Sequence, residues 1–221
     1  MEINNKNQIV EKTLNHVKTV MDGENSGHDF WHVFRVWNNA KNILKSYPQA
    51  NSLIVECAAL LHDIADWKFN NGNSEIGAKT AQDFLLNLGL EKDDCNKVFD
   101  IIANMSFKGA NVKNTITTLE GQIVQDADRL DAIGAIGIAR AFAYGGANNR
   151  ELHTPENKPE LHNSAQSYLK SKGGTINHFY EKLLLLKDRM NTEEARKIAQ
   201  KRHLFMEEFL NNFYNEWDGV Q

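Results

Sequence analysis

Cysteine, proline and long apolar runs are all scarce in this chain of 221 residues. The two cysteines, Cys57 and Cys95, cannot build a disulfide framework or a CxxC zinc site, so buried thiols are expected. The prolines are Pro48, Pro155 and Pro159, which leaves long stretches free of helix breakers. No apolar run approaches the ~20 residues of a membrane span. The segment Met1 to Gln8 has no apolar leader core. A cytoplasmic protein without membrane attachment is therefore expected. Positive charge is not in excess either: 25 Lys and Arg face 29 Asp and Glu. The net charge of −4 removes any global case for a nucleic acid polymer or an anionic membrane as partner. Phosphate affinity has to come from a local cluster.

What is present is helical periodicity. Clear alternating strand patterns are absent, and apolar residues recur at three and four positions instead. Ile9, Leu14, Val17 and Met21 make one stripe, ending before Asp22-Gly23. Phe30, Val33, Phe34, Trp37, Ala40, Ile43 and Leu44 make a second, ending near Tyr47-Pro48. A third helix is expected from Leu53 to about Asp66, and a fourth from an N-cap at Ser74 to Gly89. Asp93 to Met105 follows. The run from Thr118 to Tyr144 should hold two helices, joined or kinked among Gly134 and Gly137. Thr175 to Met190 is expected next, and Thr192 should cap a long last helix with Ile198, Phe205, Phe209, Phe213 and Trp217 near one side. The expectation is an all-α single domain over 1–221, with a site-bearing core at about 26–135 and C-terminal helices over 164–217 packed on it. Two polar loops interrupt the pattern, Ser106 to Thr115 and a longer one near 145–163 that opens on Gly145-Gly146. The longer one is read either as a lid or as a surface insertion.

His62-Asp63 ends the apolar run Leu53 to Leu61. An imidazole and a carboxylate leaving a buried helix together are suited to one divalent metal. The other His-Asp pair, His28-Asp29, looks like a helix entrance with Asp29 as cap. His32 lies one turn into that helix, and Arg35 is three residues further on the same face. A metal ligand beside a permanent cation suits attack on a phosphate, whose oxygens fit the guanidinium fork. Farther on, Asp126, Asp128 and Asp131 stand in an otherwise apolar helical stretch. With Ile123-Val124 and Ala132-Ile133 buried, the three cannot all face solvent, and at least one should face a cation.

The ordered set resembles the H…HD…D signature of the HD-domain superfamily of metal-dependent phosphohydrolases. His62-Asp63 follows His32 by thirty residues, and an Ala-Asp-Arg-Leu segment comes later at Asp128. The stretches Gly27 to Val36, Ala59 to Asp66 and Gln125 to Gly134 are similar to the small bacterial YedJ/YpgQ-type group, as are His178 to Leu183 and Lys187 to Thr192. The resemblance implies a compact helical fold and a metal held by His32, His62, Asp63 and Asp128, with Asp126 the competing last ligand. Some members bind two metals through extra histidines after the HD pair. No histidine stands between His62 and His153 here, so one metal is expected. Imidazole and carboxylate ligands with open positions suit Mn²⁺, Fe²⁺, Co²⁺ or Mg²⁺, with Mn²⁺ preferred.

By the same resemblance Asp66 is the catalytic acid or base, or else a surface aspartate at a helix end. Arg35, Lys68 and Arg140 are the candidate phosphate cations. Lys68 reads equally as a solvated side chain. Arg140, among apolar neighbours, requires either an internal carboxylate or a substrate phosphate. The implied partner is a small nucleotide, with pyrophosphate release from a nucleoside or deoxynucleoside triphosphate the leading reaction. A 5′-nucleotidase, a cyclic-nucleotide phosphodiesterase and a non-catalytic sensor or scaffold are the rivals. Assembly into a homo-oligomer stays open.

Overall fold

The computed structural model describes residues 2–23, 29–65, 75–105, 115–161 and 173–220, with side chains from residue 6 onward. Every regular element among them is helical. In chain order these are α1 (Glu2–Val20), α2 (Phe30–Leu44), α3 (Ser52–Leu61), α4 (Glu75–Asn87), α5 (Lys92–Asn104), α6 (Leu119–Asp131), α7 (Gly134–Ala147), α8 (Thr175–Glu181) and α9 (Glu193–Trp217). No helix among the described residues is long and apolar enough to cross a membrane. The backbone groups into two compact units, one of residues 1–106 and 114–128, the other of 107–113 and 129–221.

The first unit is organised around α3. Leu53, Ile54, Val55, Cys57, Ala58, Ala59, Leu60 and Leu61 are all buried, so this helix is apolar on nearly every side. Such a helix has to be surrounded, and α1, α2 and α5 pack against it while α4 packs on α5. Asn51 starts it by accepting a hydrogen bond from the Leu53 amide. The polar exception, Glu56, accepts a 2.9 Å bond from the Trp37 indole of α2. On α2 the buried positions Val33, Val36, Ala40 and Ile43 keep the helical spacing read from sequence. Asp29 is its N-cap, accepting from the His32 amide at 2.8 Å. The Ser74 cap lies outside the described residues. The regular part of α3 stops at Leu61, and residues 62–65 form turns rather than the expected continuation.

In the second unit α7 packs on α8 and α9. Phe142, Phe179 and Phe209 form its aromatic centre, with Phe179 stacked on Phe209 at 5.8 Å. The corner between α6 and α7 falls at Ala132-Ile133, and Gly134 starts α7 at φ +76°, a conformation that favours glycine. A Cβ on Gly137 would lie 2.2 Å from the Ala132 carbonyl, so the corner also needs that second glycine.

Three expectations change here. Gly145-Gly146 does not open a loop: α7 runs to Ala147. Gly145 is there for close packing, since a Cβ would sit 2.2 Å from the Thr175 hydroxyl. The stretch without regular structure is 148–161 among the described residues. Thr175 to Met190 is not one helix. It breaks at Lys182 into two 3₁₀ turns, Leu183–Leu185 and Lys187–Arg189, which turn Leu183 and Leu186 inward together. Thr192 does cap α9, accepting from the Ala195 amide. The buried face of α9 is Ala195, Ala199, His203, Met206 and Leu210, while Phe205 and Trp217 are exposed.

Cys57 is fully buried, and desolvation pushes its thiol up to about 12. Burial raises Cys95 in the same direction. Neither thiol should react with an aromatic disulfide reagent at pH 8 in the native protein, and both should react in denaturant; stoichiometric labelling of the native state would contradict the core packing. His16 stacks on Phe84 at 4.1 Å, and burial lowers its pKa from 6.5. The unfolded chain therefore binds the extra proton first. This part of the stability is present above pH ~6.5 and is lost as pH falls through and below it. Melting curves of His16→Phe between pH 7.5 and 5.5 should show a smaller acid-side loss than the wild type.

Candidate metal centre

Three helices of the first unit bring four side chains to one place. His32 comes from the first turn of α2, His62 and Asp63 from the end of α3, and Asp128 from α6. His32 is buried among the packed faces of α2, and His62 ends the buried helix. His62 Nε2 is 3.2 Å from His32 Nε2. Asp63 Oδ2 lies 3.4 Å from His32 Nε2 and 3.6 Å from His62 Nε2. Asp128 Oδ1 lies 3.5 Å and 3.9 Å from the same two nitrogens. His32, His62 and Asp63 form a group tight enough to hold a metal ion. Asp128 is a looser fourth.

The His62 ring is already set for that role. Its Nδ1 is 2.8 Å from the Ala59 carbonyl oxygen. A carbonyl only accepts, so Nδ1 carries a proton, and in the neutral ring Nε2 keeps its lone pair. That lone pair meets His32 and two carboxylates. One shared proton can serve a single contact among these groups, whereas a divalent cation serves all five. Bonds of about 2.1 Å to such an ion put neighbouring ligand atoms roughly 3.0–3.4 Å apart. His32, His62 and Asp63 are therefore spaced for it, and Asp128 lies beside them at 3.5 and 3.9 Å from the two histidine nitrogens. Exposure divides them: the histidine side chains are 1% and 4% exposed, Asp63 17% and Asp128 34%. The carboxylate side is thus the more solvent-exposed. The carbonyl end of α3 adds partial negative charge beside the ligands.

Helix phase separates Asp126 from Asp128. Two residues apart means about 200° around α6. Asp128 reaches the histidines, while Asp126 is fully buried with polar partners of its own. Arg35 is half-buried on α2, one turn from His32, and is also engaged by polar partners. Arg140 belongs to the second unit, where its Nη1 donates to Asp131 Oδ2 at 2.9 Å. The internal carboxylate is thus present. Arg202 Nη1 donates to the Leu130 carbonyl nearby. Asp66, Lys68 and His28 lie outside the described residues.

Sequence reasoning missed the bonds that hold the three helices in register. Trp37 to Glu56 ties α2 to α3. The Asn51 amide donates to Glu120 Oε1 at 2.8 Å and ties the start of α3 to α6. Asn39 Nδ2 donates to the Ala127 carbonyl at 3.2 Å and ties α2 to α6. Only Asn39 carried a visible signal, a polar residue seven positions after His32 on the same helical face.

The HD domain model matches residues 30–133, which hold all four side chains. YpgQ of Bacillus subtilis is 39% identical over 206 residues, covering 92% of this chain and 91% of YpgQ. A crystal structure of an HD-superfamily hydrolase from Bacillus thuringiensis is 43% identical with a TM-score of 0.74, covering 96% of this chain and 98% of its own. A Lactobacillus plantarum protein of solved structure is 36% identical with a TM-score of 0.85, again over 96% and 98%. YpgQ has been crystallised in complex with ADP, and that structure gives a TM-score of 0.75 at 33% identity over 96% of each chain. The chain belongs to the HD-domain family of metal-dependent phosphohydrolases.

Metal occupancy should be visible in stability. An ion that binds only the folded state adds about 4 kcal/mol at a thousandfold excess over Kd. Mn²⁺ should raise the melting temperature of stripped protein, and His62→Ala should abolish the rise. An equal rise in His62→Ala would place the ion elsewhere.

Proposed function

We propose that His32, His62, Asp63 and Asp128 hold a single divalent ion, Mn²⁺ by preference, and that the protein cuts nucleoside or deoxynucleoside triphosphates at the α-phosphorus, releasing pyrophosphate in the cytoplasm. The observation that carries the reading is the convergence of two imidazole nitrogens and two carboxylates on one point, with His62 locked as a lone-pair donor. The ADP complex of YpgQ supports a nucleotide as the ligand class. The chain is read as one functional domain over 1–221, because relatives of its own length align along nearly all of it.

A divalent ion in this position supplies Lewis-acid polarisation of phosphoryl oxygens and lowers the pKa of a water. The chain's own residues do the rest. Asp63 and Asp128, the more exposed pair, leave the substrate side open. Asp66, three residues after Asp63, is the group assigned to take the proton from the attacking water and orient it. Arg35, one turn from His32, and Lys68 are assigned to the phosphate oxygens, where fixed positive charge favours the more highly charged transition state. Arg140 pairs with Asp131 and is read as holding the α6–α7 corner.

The deciding assay uses dGTP with metal-reconstituted protein. Pyrophosphate and dGMP should appear in equal amounts, with orthophosphate detected only after inorganic pyrophosphatase is added. Orthophosphate released directly from dGMP, or opening of a cyclic nucleotide without triphosphate cleavage, would favour the phosphomonoesterase or phosphodiesterase alternative. Inertness toward phosphoesters and phosphoanhydrides alike would favour a sensor. Asp66→Ala should retain the Mn²⁺-induced rise in melting temperature while losing about 10²–10⁴-fold in kcat; full turnover would remove Asp66 from the reaction.

A further inference from the structure

We propose that Asn39 is a positioning residue for the metal centre: its side-chain amide fixes the spacing between the helix that carries His32 and the helix that carries Asp128. The proposal rests on the metal reading given above. Asn39 Nδ2 donates to the Ala127 carbonyl oxygen at 3.2 Å. That oxygen belongs to the peptide plane joining Ala127 to Asp128, and a peptide plane is rigid. Holding it therefore holds the Cα of Asp128. The carbonyl lies inside α6, where its helical amide uses one lone pair and leaves the second for Asn39.

On the other helix, Asn39 is seven residues from His32, two turns along and within about 20° on the same face. The two helices thus meet at two points roughly 10 Å apart along α2. One is the His32–Asp128 pair at 3.5 Å, the other the Asn39–Ala127 bond. Two such contacts constrain the rotation and sliding of α6 against α2 more tightly than the His32–Asp128 pair would by itself. Ala127 is fully buried and has no side chain beyond Cβ, which lets the helices come close enough for a short asparagine to reach the backbone. Asp128 is the most exposed of the four candidate ligands, so it has the least packing of its own to hold it. The bond to the preceding peptide supplies that constraint.

The test is Mn²⁺ affinity by calorimetry on stripped, full-length protein, with the metal-free melting temperature measured beside it. Asn39→Leu keeps the branching at Cγ in a somewhat larger side chain and removes the donor. It should weaken Mn²⁺ binding by about 10–100-fold, the usual cost of losing an outer partner of a ligand. Asn39→Gln retains a donor on a longer arm and should recover most of the affinity. Thr192→Ala, which loses the cap of α9, is the stability control; it should lower the melting temperature while leaving Mn²⁺ affinity unchanged. If Asn39→Leu does not fold, Asn39→Ala carries the same comparison. Wild-type affinity in a donor-less Asn39 variant, alongside loss of binding in His62→Ala, would overturn the role of Asn39 and leave the metal reading intact. Wild-type protein that bound no Mn²⁺, or His62→Ala that bound it equally, would overturn both.

Discussion

The burial of α3 on nearly every side is the constraint on which the first unit depends. Eight of its ten residues are buried, so its position is set by α1, α2 and α5 together. Each large apolar side chain among them contributes about 1.5–3 kcal/mol of burial. The His62-Asp63 pair is the point at which this enclosed helix ends. A pair of side chains attached there inherits the rigidity of the core without being sealed inside it. The turns over 62–65 follow the helix, half-buried except for the buried Ile64. Gly77 lets the start of α4 approach the Ala65 carbonyl, where a Cβ would sit at 3.0 Å.

Around that fixed end the other two helices carry buried apolar faces of their own, Val33, Val36, Ala40 and Ile43 on α2 and Ile123, Val124 and Leu130 on α6, and polar bonds add to them. Trp37–Glu56, Asn51–Glu120 and Asn39–Ala127 join the three helices pairwise. Hydrogen bonds of this kind add only about 0.5–1.5 kcal/mol each to stability. What they add is direction. Apolar contacts tolerate small slides, whereas a donor and acceptor near 3 Å do not. Apolar burial therefore sets the fold, and directional bonds add to how the site helices are oriented.

The parts legible in the sequence were those governed by local periodicity. His32, His62 and Asp63 announced themselves by position on apolar helices, and the Asp29 and Thr192 caps by residue type. Asp128 became distinct from Asp126 only when the phase of α6 was known. Arg140 posed the right question, but its partner, Asp131, stands nine residues away beyond a helix corner that no local pattern measures. Gly145-Gly146 was misread because a glycine needed for close approach to Thr175 looks the same as a glycine needed for a loop. The 3₁₀ turns after α8 were hidden in a leucine run that satisfies a spacing of three as well as one of 3.6.

The bond from His62 Nδ1 to the Ala59 carbonyl has an evolutionary consequence. Many metal-binding histidines are oriented by a carboxylate or amide side chain, which a single base change can delete. Here the orienting group is the backbone of the same helix, three residues back. Any residue at position 59 that preserves the helix supplies it. The tautomer of this histidine is thus protected from genetic drift in its neighbours, and selection at Ala59 acts through the room available in the core alone.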